Sequence, residues 1–360
     1  MTQNLDQDGI LESLWGQKAN QNSAKLYLDQ ITYNSAGNIE RMRLGNGHWE
    51  TASYYADRQQ VKQIGLGYSA NNKSLLKIDY SYSTNQENNG SLREQKINFF
   101  GLTNEIKQTY TYDDLNRLKS STETANAQIV WKQTFNYDRY GNRTLDTPNT
   151  TTLTQNISQK IANPLINSGD NRLQKDQDGD NVSDYVYDKA GNLTVDAQNQ
   201  RFIFDAENRM KEFFHSTNQT NTPDAVYQYD GDGKRVKKVS GNNLTIFVYN
   251  SSGQLIAEYA TQTASNPQVS YLTQDHLGSP RIITGNNGEV VSRHDYMAFG
   301  ADIAETLGNV GNRATAHGYG KADEIRKQYT GYEHDDESGL DFAQARYYNP
   351  SHGRFTSVES

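Results

Sequence analysis

Residues 187–193 read YDKAGNL, and this short unit recurs along the chain in altered forms. Each copy begins with Tyr or Phe followed by Asp, continues with Gly or Asn, and has a basic or branched residue in its last two positions. The other clear copies occupy residues 112–118, 137–143, 204–210 and 229–235. Repeats of this kind build extended arrays and not single enzyme domains with one pocket.

The residues around the repeated unit predict β-strands. Tyr185 and Tyr187, like Tyr227 and Tyr229, alternate with a period of two, which places each pair on one face of a sheet. The Asp, Asn and Gly positions tolerate a left-handed backbone and can hydrogen-bond to their own chain, so they predict a tight turn. Alternating or β-branched runs such as residues 235–239 follow the turn. The sequence therefore predicts an all-β fold built from successive antiparallel hairpins.

The composition indicates a thin wall and not a solid globule. Hydrophobic residues make up 34% of the 360 residues, the mean hydropathy is −0.91 and the net charge is −8. A globule of this length would bury about three-quarters of its surface and would need a larger apolar fraction. The 24 Tyr supply rings that can be buried while the hydroxyl stays in water. We therefore expect an open or hollow β wall with solvent on both faces.

Several classes of protein are disfavoured by the sequence. The chain has no cysteine, which excludes disulfides and thiolate sites. It has no apolar stretch of about 18 residues, and residues 1–10 are polar and acidic, which predicts neither a membrane span nor a signal peptide. An isoelectric point near 5.4 and the lack of a basic cluster argue against nucleic acid as a partner.

Three parts of the chain differ in pattern. Residues 1–108 contain weaker copies of the hairpin unit, residues 109–267 contain the clear copies, and residues 268–360 carry a separate signature. That signature comprises YLTQDHLGSPR at 271–281, HDYMAFG at 294–300 and GLDFAQARYYNP at 339–350.

With these motifs the chain resembles the RHS/YD-repeat family, and residues 268–360 resemble that family's repeat-associated core domain. The resemblance covers nearly the whole chain and implies a spiral of β-hairpins that forms a hollow shell, partial or small, with the core domain at one end. In bacterial members the shell encloses a C-terminal toxin or effector, which implies a cargo or partner protein and a secreted or cell-surface location. Animal teneurins use a related barrel in adhesion.

The resemblance favours a non-enzymatic structural shell, with a surface adhesion or glycan-binding module as the alternative. Exposed aromatic rings can stack on sugar faces, and Trp15, Trp49 and Trp131 are the residues that such binding would use. A Trp in a β wall is, however, more often packed inside it. An incomplete shell would also expose a strand edge, so we expect self-association through β-pairing.

The resemblance further implies a remnant of an aspartyl-type autoprotease that releases cargo. Arg346 occupies the Arg position of the family's Arg-Tyr-Tyr-x-Pro motif, and Glu359 falls where the family has a catalytic Asp. Glu carries its carboxylate one methylene further out, a displacement that costs about a hundredfold in rate. Ser360 stands in place of the family's Pro. We therefore expect no cleavage in cis, and expect Arg346 to hold the tail by bonding Glu359 or backbone carbonyls.

Residues 176–184, DQDGDNVSD, resemble a short calcium loop. The predicted Ca²⁺ ligands are the carboxylates at loop positions 1, 3, 5 and 9, namely Asp176, Asp178, Asp180 and Asp184. The usual bidentate Glu at position 12 is replaced by Tyr187. The alternative is a solvated acidic hairpin tip, because Asp and Gly also favour turns.

Five histidines in the last part of the chain have no metal-binding spacing and fall in predicted turns: His276, His294, His317, His334 and His352. Asp275, His276 and Ser279 imitate part of a catalytic triad. Side chains so close in a turn rarely aim at one point, so we interpret them as turn-forming residues that hydrogen-bond to the backbone.

Overall fold

The computed structural model describes residues 2–357 except for 18–21, 84–86, 152–158, 219, 251–254, 262–268, 309, 312 and 324. Glu359 and the predicted boundary at residues 267–268 lie outside the described residues. Strands account for 45% of the chain and helices for 5%, and the sheets are antiparallel, which confirms the all-β prediction. Within the described part of the chain, no helix is long and apolar enough to span a membrane.

The first sheet is a meander of twelve strands, each paired antiparallel with the next in chain order. Its strands are β1 (Thr2–Leu5), β2 (Leu11–Gly16), β3 (Lys25–Tyr33), β4 (Ile39–Leu44), β5 (Trp49–Tyr54), β6 (Val61–Gly67), β7 (Leu76–Tyr82), β8 (Leu92–Asn98), β9 (Ile106–Tyr112), β10 (Leu118–Ala125), β11 (Gln128–Tyr137) and β12 (Arg143–Leu145). The predicted boundary at residue 108 falls inside β9, and the sheet continues through it to β12.

The second sheet has eight strands in the same sequential order. They are β13 (Val186–Tyr187), β14 (Leu193–Val195), β15 (Arg201–Phe204), β16 (Met210–Phe214), β17 (Ala225–Tyr229), β18 (Arg235–Ser240), β19 (Asn243–Tyr249) and β20 (Leu255–Ala260). A short 3₁₀ turn at Thr147–Asn149 and one helical turn, α1 (Gln159–Ala162), lie between the two sheets.

The C-terminal region, residues 269–357, forms two small antiparallel sheets. The first contains β21 (Tyr271–Gln274), β22 (Pro280–Thr284) and β23 (Val290–Arg293); the second contains β24 (Glu333–Asp335), β25 (Leu340–Phe342), β26 (Tyr347–Asn349) and β27 (Arg354–Phe355). Between them lie α2 (Ile303–Leu307) and two 3₁₀ turns, Thr315–His317 and Tyr329–Gly331.

The repeated unit forms the same turn at each copy. In the copy at 112–118, the carboxylate of Asp113 accepts hydrogen bonds from the backbone N–H groups of Leu115 and Arg117, at 3.0 and 2.8 Å. Asn116 takes a positive φ of 60°, which few residue types other than Gly, Asn and Asp adopt readily. The predicted hairpin turn is therefore confirmed. Its Asp carboxylate serves as the acceptor for backbone N–H groups within the turn.

In three of the copies the hydroxyl of the first tyrosine, Tyr112, Tyr137 or Tyr229, bonds one hairpin to the preceding one. The hydroxyl of Tyr137 donates to the carbonyl of Leu118 at 2.7 Å, and the hydroxyl of Tyr229 donates to the carbonyl of Met210 at 2.7 Å. The basic residue of the preceding turn lies over the same ring, as Arg117 does over Tyr137 at 4.6 Å. The recurrence of Tyr, Asp and a basic residue thus follows from contacts between neighbouring hairpins.

The C-terminal region covers one face of both large sheets. Tyr271 and Ile282 pack with Leu66, Ile78 and other buried residues of the first sheet. Leu340, Phe342 and Tyr347 pack with buried residues of β13–β17 in the second sheet. The expectation of solvent on both faces of the wall is therefore wrong where this region packs, because aromatic and aliphatic side chains of the two layers remove each other from water.

Candidate functional site

The contact between the C-terminal region and the first sheet contains a buried ionic group, the Glu123 cluster, made of Glu123, Arg281, Asp295 and Arg313. Glu123 and Arg313 are both 0% exposed, and two guanidinium–carboxylate hydrogen bonds of 2.6 and 2.7 Å join them. Arg313 also donates to Asp295 at 2.8 Å, and Asp295 accepts from Arg281. Such buried groups are tolerated only when every charge is paired, so the cluster fixes how the region sits on β10.

The contact with the second sheet contains a matching Asp335 cluster. Arg235 on β18 is 0% exposed and forms ion pairs with Asp335 and with Glu333, and Lys238 lies 2.7 Å from Asp335. Burial alone would raise the pKa of Asp335, but the attraction of Arg235 and Lys238 outweighs it and holds that pKa below its ordinary value. The carboxylate therefore stays charged and keeps β24 attached to the wall.

Of the predicted catalytic pair, Arg346 lies within the described residues and Glu359 does not. Arg346 is partly buried, and its guanidinium carbon lies 3.9 Å from the centroid of the Phe355 ring. Glu359 lies outside the described residues, so its contact with Arg346 stays a prediction.

The predicted calcium loop brings three of its four carboxylates together. Ligand atoms of Asp176, Asp178 and Asp184 lie within 4.8 Å of one another. Asp180 is not part of this group, and its carboxylate instead accepts a hydrogen bond from the backbone N–H of Val182 at 2.7 Å. Calcium binding itself stays a prediction.

The cation beside these carboxylates is the ammonium group of Lys160 in α1. It lies 2.6 Å from Asp184 and 2.9 Å from Asp178, and the hydrogen bonds to these two carboxylates raise the lysine pKa above its ordinary value. Calcium takes six to eight oxygen ligands, whereas here an ammonium already pairs with two of the four predicted ones. As arranged, the loop fits an internal ammonium better than Ca²⁺.

The triad-like residues serve the turn that follows β21. The carboxylate of Asp275 accepts hydrogen bonds from the backbone N–H groups of Leu277 and Ser279, and the Ser279 hydroxyl accepts from the backbone N–H of Thr330. The ring of His276 lies against Tyr80, with 4.6 Å between the ring centroids. The interpretation of Asp275 and Ser279 as turn-forming residues is confirmed.

His294 has a larger role than its sequence context suggests. Its two ring nitrogens lie 3.0 Å from Asp302 and 2.9 Å from Asp323. Burial alone would lower the pKa of His294, but the hydrogen bonds to Asp302 and Asp323 raise it to about 9. At neutral pH the imidazolium therefore connects β23, α2 and the segment around residue 323.

Comparison with known proteins identifies the family to which this architecture belongs. The teneurin YD-shell family model matches residues 29–358. The chain belongs to the teneurin YD-shell family. This chain is 28% identical over 338 residues to the tRNA3(Ser)-specific nuclease WapA of Bacillus spizizenii, a match that covers 91% of this chain and 13% of the nuclease. It is 23% identical over 248 residues to mouse teneurin-3, which covers 61% of this chain and 8% of teneurin-3.

A solved structure shares the fold of this YD shell. A chain in the structure of the Photorhabdus luminescens Tc holotoxin pore superposes with a TM-score of 0.75 at 19% identity, covering 99% of this chain and 19% of that one. A crystal structure of TcdB2–TccC3 without the hypervariable C-terminal region gives a TM-score of 0.73 at 19% identity. The RHS/YD-repeat resemblance is therefore confirmed, and the YD shell spans about a fifth or less of the length of these relatives.

Proposed function

We propose that this chain is a structural, non-enzymatic wall segment of a shell that encloses a protein cargo. The observation that carries the proposal is the way the C-terminal region folds back over one face of both sheets. The Glu123 and Asp335 clusters hold it there, and Tyr347 and Tyr348, near the end of the described chain, are buried. A polypeptide attached after them would begin beside the covered face of the wall.

The related nucleases do not require that this chain cleave RNA. The matched segment makes up only 13% of WapA, so the named activity can reside elsewhere in that protein. The net charge of −8 is unsuited to binding a polyanion. We expect the purified chain to leave tRNA intact; RNA cleavage that tracks with the purified protein would refute the non-enzymatic assignment.

The enclosing role is tested by cross-linking. A natively unfolded segment carrying one cysteine is fused after Ser360, and because the chain has no other cysteine a photo-cross-linker can be placed there alone. Cross-links are expected to map to the face covered by the C-terminal region. The same segment fused before Met1 is the matched control. Equal cross-linking to outward-facing residues, such as the exposed Ile129 and Ile203, would contradict enclosure.

The adhesion alternative is weakened at one of its three candidate residues. Trp131 is 1% exposed and packs against Met297 and Ile303, so its ring offers no face to a sugar. Trp15 and Trp49 are partly exposed.

The wall also has an exposed edge. Every residue of β1 is solvent-exposed, and among the described strands β1 pairs with β2 alone. Unpaired strand edges invite pairing with a second chain, and we propose that the shell extends or self-associates there, in a secreted or cell-surface setting. Sedimentation at increasing concentration tests this: a species that stays monomeric would contradict it.

A further inference from the structure

A cavity of about 430 Å³ lies between the first sheet and the C-terminal region, at the rim opposite the Tyr–Asp turns. Its sheet side is formed by the connections that follow β6 and β8, which include Tyr68, Phe99 and Phe100. Its other side is formed by Arg293 at the end of β23 and by the 3₁₀ turn that contains His317. Its volume lies within the usual range for small-ligand sites.

Arg293 differs from the other buried arginines of the described chain. Four arginines are buried, and three of them form ion pairs with carboxylates: Arg235 with Asp335, Arg281 with Asp295 and Arg313 with Glu123. Arg293 is 5% exposed and has no carboxylate within ion-pair distance among the described residues. Its Nη1 atom is buried and has no hydrogen-bond acceptor.

The groups around Arg293 compensate its charge only in part. Its Nε donates to the carbonyl of His317 at 2.9 Å, and its guanidinium carbon lies 4.2 Å from the centroid of the Phe99 ring. Asp295 already accepts hydrogen bonds from Arg281, Arg313 and Tyr319. Burial removes water from the guanidinium, and the nearby groups do not offset this cost, so the pKa of Arg293 lies below its ordinary value.

A buried guanidinium with an unused donor is costly, and an entering anion would remove that cost. Asp295 is committed to Arg281, Arg313 and Tyr319, so among the described residues it does not supply the acceptor that Nη1 of Arg293 lacks. Arginine binds carboxylates through directional, charge-assisted hydrogen bonds. Arg293 supplies one positive charge to the cavity, and Lys321 at the cavity edge supplies a second.

The rim of the cavity is apolar and exposed. Phe100 is 88% exposed and Tyr68 is 64% exposed, and both line the cavity. Large aromatic rings left in water beside a buried charge are typical of recognition sites for ligands that carry both apolar and charged parts. We propose that this cavity binds a carboxylate carried on an apolar stem, as in an acidic side chain or a chain terminus of a peptide segment, with Arg293 as the anchor. The site is independent of the enclosing role.

The test is an NMR titration of the full chain with matched small molecules. N-acetyl-L-phenylalanine presents a terminal carboxylate on an apolar stem, and N-acetyl-L-phenylalaninamide keeps the stem without the charge. The acid is expected to bind about tenfold more tightly than the amide, in line with the strength of a charge-assisted hydrogen bond. The amide of N-acetyl-Phe-Glu presents a side-chain carboxylate, and the tighter of the two acids identifies the source. Equal binding of acid and amide, or preferential binding of inorganic phosphate, would overturn the proposal.

Variants locate the binding. Arg293→Met is expected to abolish the preference for the acid, whereas Phe100→Ala should weaken acid and amide alike. Phe100 is exposed, so its variant keeps the proposal testable if Arg293→Met fails to fold. Tyr140→Ala is the control, because Tyr140 is also an exposed ring, 55% exposed, but lies in the turn at 137–143. An unchanged affinity in Phe100→Ala, or a loss in Tyr140→Ala, would place binding elsewhere.

Discussion

The guanidinium of Arg313 donates two hydrogen bonds to the carboxylate of Glu123, although 190 residues separate them in the chain. Both side chains are fully buried. The pair joins the C-terminal region to β10 of the first sheet, so it connects two parts of the chain that are distant in sequence.

Removing one partner should therefore destabilise the protein strongly. Arg313→Met leaves Glu123 without a cationic partner, and we expect a loss of about 3–5 kcal/mol in the free energy of unfolding. Arg43→Met is the control, because the Arg43–Asp29 pair is partly exposed and should contribute less than about 1 kcal/mol. Denaturant unfolding measures both, and losses of equal size would contradict the importance of burial.

The tyrosine hydroxyls should each contribute to the attachment of neighbouring hairpins. Tyr137→Phe removes the hydrogen bond to the carbonyl of Leu118 and is expected to cost about 1 kcal/mol. Tyr259→Phe is the matched control, since Tyr259 is 66% exposed on β20. If urea unfolding gives the same free energy for Tyr137→Phe and the unmodified chain, the tie between hairpins is not a stabilising contact.

Two neighbouring aspartates in one turn allow a direct comparison. Asp230 accepts hydrogen bonds from the backbone N–H groups of Asp232 and Lys234, at 3.0 and 2.9 Å, whereas Asp232 is exposed. Asp230→Ala should cost about 1–2 kcal/mol, because it strands backbone donors, and Asp232→Ala should be near neutral. Thermal unfolding of the two variants tests the assignment, which fails if their melting temperatures match.

The raised pKa of His294 predicts that the protein loses stability at alkaline pH. Its pKa in the folded protein is about 9, above the ordinary value near 6.5 in the unfolded chain. The stabilisation is therefore fully present below about pH 6.5 and is lost as the pH rises through about 9, with a total of roughly 3 kcal/mol. Unfolding free energies measured between pH 6 and pH 10 should decline less in His294→Gln, and parallel curves for the two proteins would refute this role.

Replacing Lys160 by an uncharged residue should increase calcium binding by the loop at residues 176–184. Lys160→Met removes the ammonium that pairs with Asp178 and Asp184, so these carboxylates and Asp176 become available to a metal ion. Added Ca²⁺ should raise the melting temperature of this variant more than that of the unmodified chain. Lys189→Met, a change in an exposed turn, is the control. An equal response of all three proteins would show that Lys160 does not compete with calcium.

The local part of the architecture could be predicted because its contacts are short in sequence. Asp113 bonds to backbone groups two and four residues ahead, and Asn116 supplies the left-handed residue between them. These requirements select residue types directly, so the hairpin turn is visible in the sequence. The covered face is not predictable in this way, because low overall hydropathy does not reveal that tyrosines and paired charges are buried there.

The candidate sites could not be predicted fully from the sequence, because their contacts join residues that are distant in the chain. The spacing of residues 176–184 predicts a calcium loop, but nothing in the sequence indicates that Lys160, 24 residues before Asp184, lies beside that carboxylate. Arg293 likewise resembles any strand-end arginine until its surroundings are known.

The sequence alone determined the repeating unit, the antiparallel hairpins and the family, since all three depend on residue type at short, regular spacing. Only the tertiary structure decided which charges are buried and which partner each one meets. Nothing in the local sequence distinguishes these buried charges from solvent-exposed ones. Glu123 pairs with Arg313, and Arg235 pairs with Asp335, which is 100 residues away in the chain. Their pairing arises when the C-terminal region packs on the wall and removes water, and desolvation is a property of the assembled layers and not of any segment.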